Sequence, residues 1–77
     1  MRSKEEIYNK LRELRDAFDE CGYHDTHDLV YYQITGMNED WDDMSEDLHR
    51  QLDELVNELE LYLKYISSEP EVNWIYG

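Results

Sequence analysis

A chain of 77 residues holds one domain at most, and the hydrophobic core available at that size is small. Twenty acidic residues against seven basic ones give a formal net charge of −13, which repels nucleic acid and anionic membrane surfaces. Direct binding to DNA, RNA or membrane is therefore disfavoured, and a basic protein partner is favoured. Seven tyrosines, two tryptophans and one phenylalanine indicate a folded chain despite this charge.

The single cysteine and the short apolar runs bear on where the protein works. Cys21 has no second cysteine to pair with, so no internal disulfide forms and a reducing compartment is the simplest expectation. No apolar stretch approaches the roughly 18 residues needed to span a bilayer. We therefore expect a cytoplasmic protein that forms a single acidic helical domain over residues 1–77.

The first predicted element is a helix over residues 3–21. Ser3 followed by Glu6 has the spacing of a capping box, and Gly22 stands where a left-handed C-terminal cap is wanted. Apolar side chains follow at alternating spacings of four and three, which predicts one buried seam. The seam residues are Ile7, Leu11, Leu14, Phe18 and Cys21. Four basic residues lie off this seam and are expected to neutralise acid on a neighbouring helix: Lys4, Lys10, Arg12 and Arg15.

The next segment is ambiguous between helix and strand. We predict a connector over residues 23–26, followed by a segment over residues 29–35 that is rich in β-forming residues. Val30, Ile34 and Met37 are also spaced to share one side of a helix. The alternative strand has only the C-terminal tail around residues 72–76 to pair with, and a two-stranded pair is weak alone. A short helix that ends near Gly36 is therefore favoured over a strand.

The central element of the predicted fold is a long amphipathic helix over residues 44–66. Its apolar positions fall within an arc of about 120° at 3.6 residues per turn. They are Met44, Leu48, Leu52, Leu55, Val56, Leu59, Tyr62, Leu63 and Ile66. Trp41 lies on the same arc, which places the start of the helix before Met44, with Asn38, Asp43 or Ser45 as its cap. The sequence from Ser67 to Pro70 is expected to end it.

Together these elements predict an all-α fold. We expect a small three-helix bundle in which two long antiparallel helices are joined through one short helix. The tail is too apolar to be left in solvent, so Val72, Trp74 and Tyr76 are expected to dock, either on the bundle or on a partner.

The face of the long helix opposite its leucines is almost purely acidic. From Glu39 to Glu60 there are ten carboxylates and one basic residue, Arg50. At a rise of 1.5 Å per residue this is about one negative charge per 3 Å, close to the phosphate spacing of about 3.4 Å along one DNA strand. The segment is therefore predicted to present a row of charge that resembles nucleic acid.

Apolar residues interrupt this acidic face. Leu61 and Tyr65 stand four residues apart among the carboxylates, which is typical of the centre of an interface. A wider contact with the C-terminal tail is the alternative explanation. Tyr31 and Tyr32 are adjacent, so a short helix buries only one of them well and the other is a second candidate contact.

The five residues Asp28-Leu29-Val30-Tyr31-Tyr32 resemble the short toxin-facing helix of the immunity proteins that neutralise nuclease colicins. That family is small, helical and acidic, and it uses the paired tyrosines as contacts. The resemblance implies that Tyr31 and Tyr32 contact a partner. The present chain has Gln33 where the family motif carries proline, and one helix rather than two before the motif.

Motifs for metal binding or catalysis are weak. Cys21, His24 and His27 have the spacing C-x2-H-x2-H, but a second cysteine is missing and the segment crosses a helix end. Asn38, Asp40 and Asp42 begin like a calcium loop, but the glycine and the terminal glutamate of that loop are absent. No phosphate-binding loop or nucleophile motif is present. We expect no metal, no cofactor and no enzymatic activity.

The predicted function is that of a small acidic inhibitor or regulator that docks on the basic, nucleic-acid-binding surface of a protein such as a nuclease. Such DNA-mimic proteins are typical of phages and mobile elements that counter host defence. The alternative is an assembly module that dimerises through the leucine-rich end of the long helix. The predicted partner-binding residues are Tyr31, Tyr32, Asp40, Asp43, Asp47, Asp53, Glu54, Glu58, Leu61 and Tyr65.

Overall fold

A computed structural model describes the backbone of residues 1–76 and the side chains of residues 1–67. Within this part the chain forms three α-helices and no strand: α1 (Lys4–Glu20), α2 (His24–Asp40) and α3 (Glu46–Tyr76). A 3₁₀ turn (Trp41–Asp43) joins α2 to α3. The all-α prediction and the number of helices are confirmed. The predicted docking of the tail depends on side chains outside the described residues.

The predicted ends of α1 are confirmed. The Glu6 backbone N–H donates to Ser3 Oγ at 3.2 Å, and the Ser3 backbone N–H donates to Glu6 Oε1 at 3.3 Å. This reciprocal pair satisfies two backbone donors that a helix start leaves open. Gly22 takes a φ of +82° directly after the helix, a conformation that costs glycine little. Cys21, however, is exposed rather than the last residue of the seam.

The ambiguous segment is helical, and α2 is longer than predicted. It begins at His24 and ends at Asp40, so its length of 17 residues equals that of α1. The connector between α1 and α2 is therefore only three residues long. Val30, Ile34 and Met37 are buried at spacings of four and three. Their burial against α1 outweighs the β-propensity of the segment, because tertiary packing decides where intrinsic preferences are weak. The predicted end near Gly36 is wrong.

The start of α3 also differs from the prediction. Met44 is extended, with a ψ of 144°, so the predicted start before Met44 is wrong. Of the three predicted caps, Ser45 is the one used: its Oγ accepts the Leu48 N–H at 3.3 Å. Trp41 therefore lies in the preceding turn, where its ring stacks on His49 at a centroid distance of 3.7 Å. The His49 Nε2 lies 2.8 Å from the Trp41 carbonyl oxygen, which fixes the corner between the two helices.

The C-terminal end of α3 lies beyond the predicted one. The helix continues through Pro70 to Tyr76, so the stop expected over residues 67–70 is wrong. Proline removes one backbone donor, but its φ of about −65° is compatible with a helix.

The order of the helices in space follows from the contacts of α1. It packs against both α2 and α3, whereas α2 and α3 make little contact with each other. Arg2 reaches Asp53 and Lys10 reaches Glu60, so positions along α1 and α3 increase in the same direction. The two long helices are thus parallel, not antiparallel as predicted, because a single intervening helix, α2, returns the chain to its starting end.

One hydrophobic cluster joins all three helices. Phe18, Ile7 and Leu11 of α1 are fully buried at its centre, and so is Val56 of α3. Among the side chains of residues 1–67, the buried ones are Ile7, Leu11, Leu14, Phe18, Val30, Ile34, Met37, Leu52, Val56, Leu59 and Ile66. Four of the five seam residues of α1, all but Cys21, and much of the predicted apolar arc of α3 are therefore in the core.

The position of Leu11 in the cluster gives the first prediction. Leu11→Ala should lower the free energy of unfolding by roughly 2–4 kcal/mol, because it removes buried apolar surface and leaves a cavity. Leu61→Ala, in which the same side chain is removed from a position 69% exposed, should change it by less than about 0.5 kcal/mol. Urea unfolding followed by circular dichroism measures both. Equal effects of the two variants would contradict the described core.

Candidate partner-binding surface

Five of the predicted contact residues share one side of α3, which we call the outer stripe: Asp47, Glu54, Glu58, Leu61 and Tyr65. At 100° per residue they fall within an arc of about 60°. All five are exposed, with Leu61 at 69% and Tyr65 at 57%. The combination predicted from sequence, apolar groups set among carboxylates, is therefore present on the surface of one helix.

Asp53 belongs to a different flank of α3. The Arg2 guanidinium lies 3.0 Å from Asp53 Oδ1, and the Arg2 backbone N–H donates to the same oxygen at 3.1 Å. Arg2 also lies 3.6 Å from Glu60, which Lys10 approaches at 3.4 Å. Asp53 is therefore held in a contact within the chain, away from the outer stripe with which it was grouped.

The remaining basic residues of α1 do not reach the acids of α3 within residues 46–67. Arg15 pairs with Asp16 of its own helix at 3.1 Å. Lys4 lies over the Trp41 ring at 6.0 Å, and Arg12 over the Tyr8 ring at 5.5 Å. Of the four residues expected to neutralise the long helix, only Lys10 does so, and Arg2 is the residue that the prediction missed.

The outer stripe is not neutralised in the same way. Glu54 and Glu58 form no ion pair with any described residue. Asp47 pairs with Arg50 at 3.3 Å, but both side chains are well exposed and such a pair contributes little. The negative potential of this stripe is therefore open to solvent or to a partner.

The other predicted contacts lie elsewhere. Asp40 ends α2, and Asp43 is in the 3₁₀ turn, so both sit at the corner before α3 rather than on it. Tyr31 and Tyr32 are exposed on α2 (51% and 72%), with their rings 6.1 Å apart, edge to face. No described contact joins the two tyrosines to the outer stripe, so they form a separate surface.

A groove between α2 and α3 was not predicted. It has a volume of about 330 Å³ and is lined by Gln33, Met44, Leu48, Gln51, Leu52, Glu54, Leu55 and Glu58. The sequence placed Leu48 in the core, yet it is 42% exposed. An apolar arc of about 120° is wider than one neighbouring helix covers, and α2 packs on α1 rather than closing over α3. The feature of the sequence that could have indicated this exposed groove is Gln33, a polar residue one position before the buried Ile34.

The leucine-rich end of α3 is partly used inside the molecule. Leu59 and Ile66 are buried, and Leu63 is half-buried against the core. Leu61, Tyr62 and Tyr65 are the members of this end that remain exposed. The apolar surface available there for dimerisation is smaller than the sequence suggested.

The histidines near the start of α2 contact carboxylates. His24 Nδ1 lies 3.3 Å from Asp19, and His27 Nδ1 lies 3.1 Å from Asp28. Among the described residues, no group of three or more histidines, cysteines and acids is arranged to hold a metal ion. In the same part of the chain, no helix combines the length and apolarity needed to cross a bilayer.

Comparison with known proteins identifies no relative: no family model, no curated protein and no solved structure matches this chain.

The contact of Arg2 with Asp53 predicts a pH dependence of stability. The Arg2 backbone N–H holds the pKa of Asp53 below its ordinary value, and the guanidinium acts in the same direction while partial burial opposes them. A pKa lowered by folding stabilises the fold above the unfolded-state pKa, and this stabilisation is lost as the pH falls through the folded-state pKa.

Asp53→Asn should therefore lower the free energy of unfolding by about 1 kcal/mol at neutral pH, since it removes a charged acceptor from a partly buried pair. The difference from the unsubstituted chain should shrink as the pH is lowered to about 2. Urea unfolding at both pH values measures it. Asp47→Asn, whose pair with Arg50 is well exposed on both sides, is the matched control and should have little effect at either pH. A constant Asp53→Asn deficit across this range would be inconsistent with the pairing.

Proposed function

We propose that this protein is a stoichiometric inhibitor or regulator that binds the basic, nucleic-acid-binding surface of another protein. The outer stripe of α3 is the proposed contact, with Glu54 and Glu58 at its centre. The main support for this proposal is that these two carboxylates have no ion pair among the described residues. By contrast, Asp53 and Glu60, on the flank that faces α1, are neutralised by basic residues. A target that fits this proposal is a nuclease of a host defence system, which a phage or mobile element would inhibit with such a protein.

The proposed mechanism has two stages. The net charge of −13 accelerates encounter with a basic groove, an effect that depends on ionic strength. Leu61 and Tyr65 then dock against the partner, because large exposed apolar groups gain most when a partner excludes water from them. Asp47, Glu54 and Glu58, which precede these two residues along the stripe, occupy positions that phosphates of a nucleic acid would otherwise take.

The alternative of a dimerising assembly module has less support. Its proposed interface is the leucine-rich end of α3, where Leu59 and Ile66 are already buried in the monomer. What remains is centred on Leu61 and Tyr65, within the outer stripe, and a symmetric dimer there would bring the unneutralised acids of two copies together. Like charges in such positions oppose association.

The test of the proposal reverses the charge of the outer stripe. The chain is immobilised, incubated with host lysate at about 50 mM salt, and eluted as salt rises to about 500 mM, a range over which exposed charge interactions are screened. We expect nucleic-acid-binding proteins to elute as the salt rises. Glu54→Lys with Glu58→Lys should abolish their retention while leaving the helical circular dichroism signal intact.

The matched control is Glu13→Lys with Glu20→Lys. Both residues are exposed on α1 and lie outside the outer stripe, and the double change alters net charge by the same amount. This variant should retain the partner nearly as well as the unsubstituted chain. If both double variants lost the partner equally, net charge alone would explain the interaction. If both retained the partner equally, the outer stripe would be excluded as the contact.

A further inference from the structure

We infer that the groove between α2 and α3 binds a basic amphipathic helix of the partner, an inference that rests on the proposed function and specifies the partner's contact element. The outer stripe accounts for Leu61 and Tyr65, but it leaves the exposed apolar residues beside it unexplained. These residues line one continuous groove rather than being scattered over the surface.

The walls of the groove have the spacing that receives a helix. On α3, Leu48, Leu52 and Leu55 follow one another at intervals of four and three. On α2, Gln33 lines the groove, and Leu29 and Gly36 lie beside it on the same side of that helix, at the same intervals. Because both helices expose a side along the groove, there is room for a further helix between them. The binding of an amphipathic helix in such a groove is a recurrent mode of protein recognition.

Gly36 is the second observation in favour of a helical occupant. Glycine within a helix is destabilising relative to alanine. A Cβ added at Gly36 would meet no atom within 4 Å, so the packing of the free chain gives no reason for a glycine there. Gly36 lies one turn beyond the lining residue Gln33 on the same side of α2, and the absence of a side chain there lets a second backbone approach closely beside the groove.

The charge of the groove selects a basic occupant. Glu54 and Glu58 form part of its lining and have no described ion pair. Asp40 lies on the same side of α2 as Gln33, two turns further along. A helix with leucines on one side and lysines or arginines flanking them would bury its apolar side on Leu48 and Leu55 and pair its charges with these acids. A second copy of this chain would place acid against acid.

The length of the groove sets the length of the probe. The lining residues on α3 run from Leu48 to Glu58, a rise of about 15 Å or roughly three turns. A helix of about 18 residues covers this stretch with about one turn to spare at each end, which a short peptide needs to form a helix. The probe is a labelled synthetic peptide of that length with leucines at helical spacing and lysines elsewhere, and its reference is a peptide of the same composition in scrambled order.

The experiment compares both peptides by fluorescence anisotropy on the full chain. The patterned peptide should bind at least about tenfold more tightly than the scrambled one, with an affinity that falls as salt rises. Leu48→Ser should weaken binding about tenfold, because it removes an apolar contact of the groove. Leu61→Ser, the same change on the outer stripe, should leave peptide binding unchanged.

Gly36→Gln separates binding from folding. A side chain at this position should raise the Tm, since glycine is replaced by a better helix former in open space. It should also obstruct the groove and weaken peptide binding about tenfold or more. A more stable protein that binds less well cannot be explained by partial unfolding.

Three outcomes would overturn the inference. They are equal affinity for the patterned and scrambled peptides, unchanged affinity in both Leu48→Ser and Gly36→Gln, and sedimentation of the chain as a dimer that Leu48→Ser dissociates. The proposed function is tested separately: a lysate partner lost with the Glu54→Lys and Glu58→Lys variant but retained with Leu48→Ser would leave the inhibitor proposal standing and remove the groove from it.

Discussion

The fold depends on one contact surface, the apolar seam of α1. Ile7, Leu11 and Phe18 are fully buried, and both other helices pack against this helix rather than against each other. The hydrophobic core of a domain of this size is small, so the arrangement of α2 and α3 is determined by how each of them packs against α1. The groove between them is a consequence of the same arrangement, because a helix with two neighbours on adjacent sides leaves those neighbours apart.

The same helix also divides the charge of the molecule. Arg2, which directly precedes the N-cap of α1, and Lys10 of α1 both reach α3, and they neutralise Asp53 and Glu60. The opposite flank of α3 receives no such cations from the described residues, so Glu54 and Glu58 keep their full negative potential. Packing and electrostatics are therefore linked: the flank that contacts α1 is used for stability, and the flank that faces away is available for recognition.

Much of this could be predicted from sequence where a local rule was sufficient. The capping box at Ser3 and Glu6, the glycine cap at Gly22 and the periodicity of α1 depend on a few neighbouring residues, and all were predicted correctly. The helical state of α2 also followed from the spacing of its buried residues. The composition of the outer stripe was predictable because one helix supplies all of it.

What failed depended on relations between helices. The parallel course of α1 and α3 follows from the direction of the intervening helix, which periodicity does not report. The ion pair of Arg2 with Asp53 joins residues 51 positions apart, and no local pattern indicates such a contact. Leu48 was assigned to the core because its position on the helical wheel matches that of Ile66, yet only the latter is buried. Position on a wheel shows which residues share a side and not whether a neighbour covers it.

The composition of the outer stripe supports the proposed role in recognition over a role in solubility alone. Glu54 and Glu58 stand four residues apart, a like-charge spacing that destabilises a helix by a few tenths of a kcal/mol. A surface shaped only for solubility would gain from charge of either sign and has no use for large apolar groups. Leu61 and Tyr65 are nonetheless exposed within the same stripe, one and two turns beyond Glu58. Unneutralised charge and exposed apolar area are each unfavourable in the free chain, and a basic partner with an apolar contact would relieve both at once.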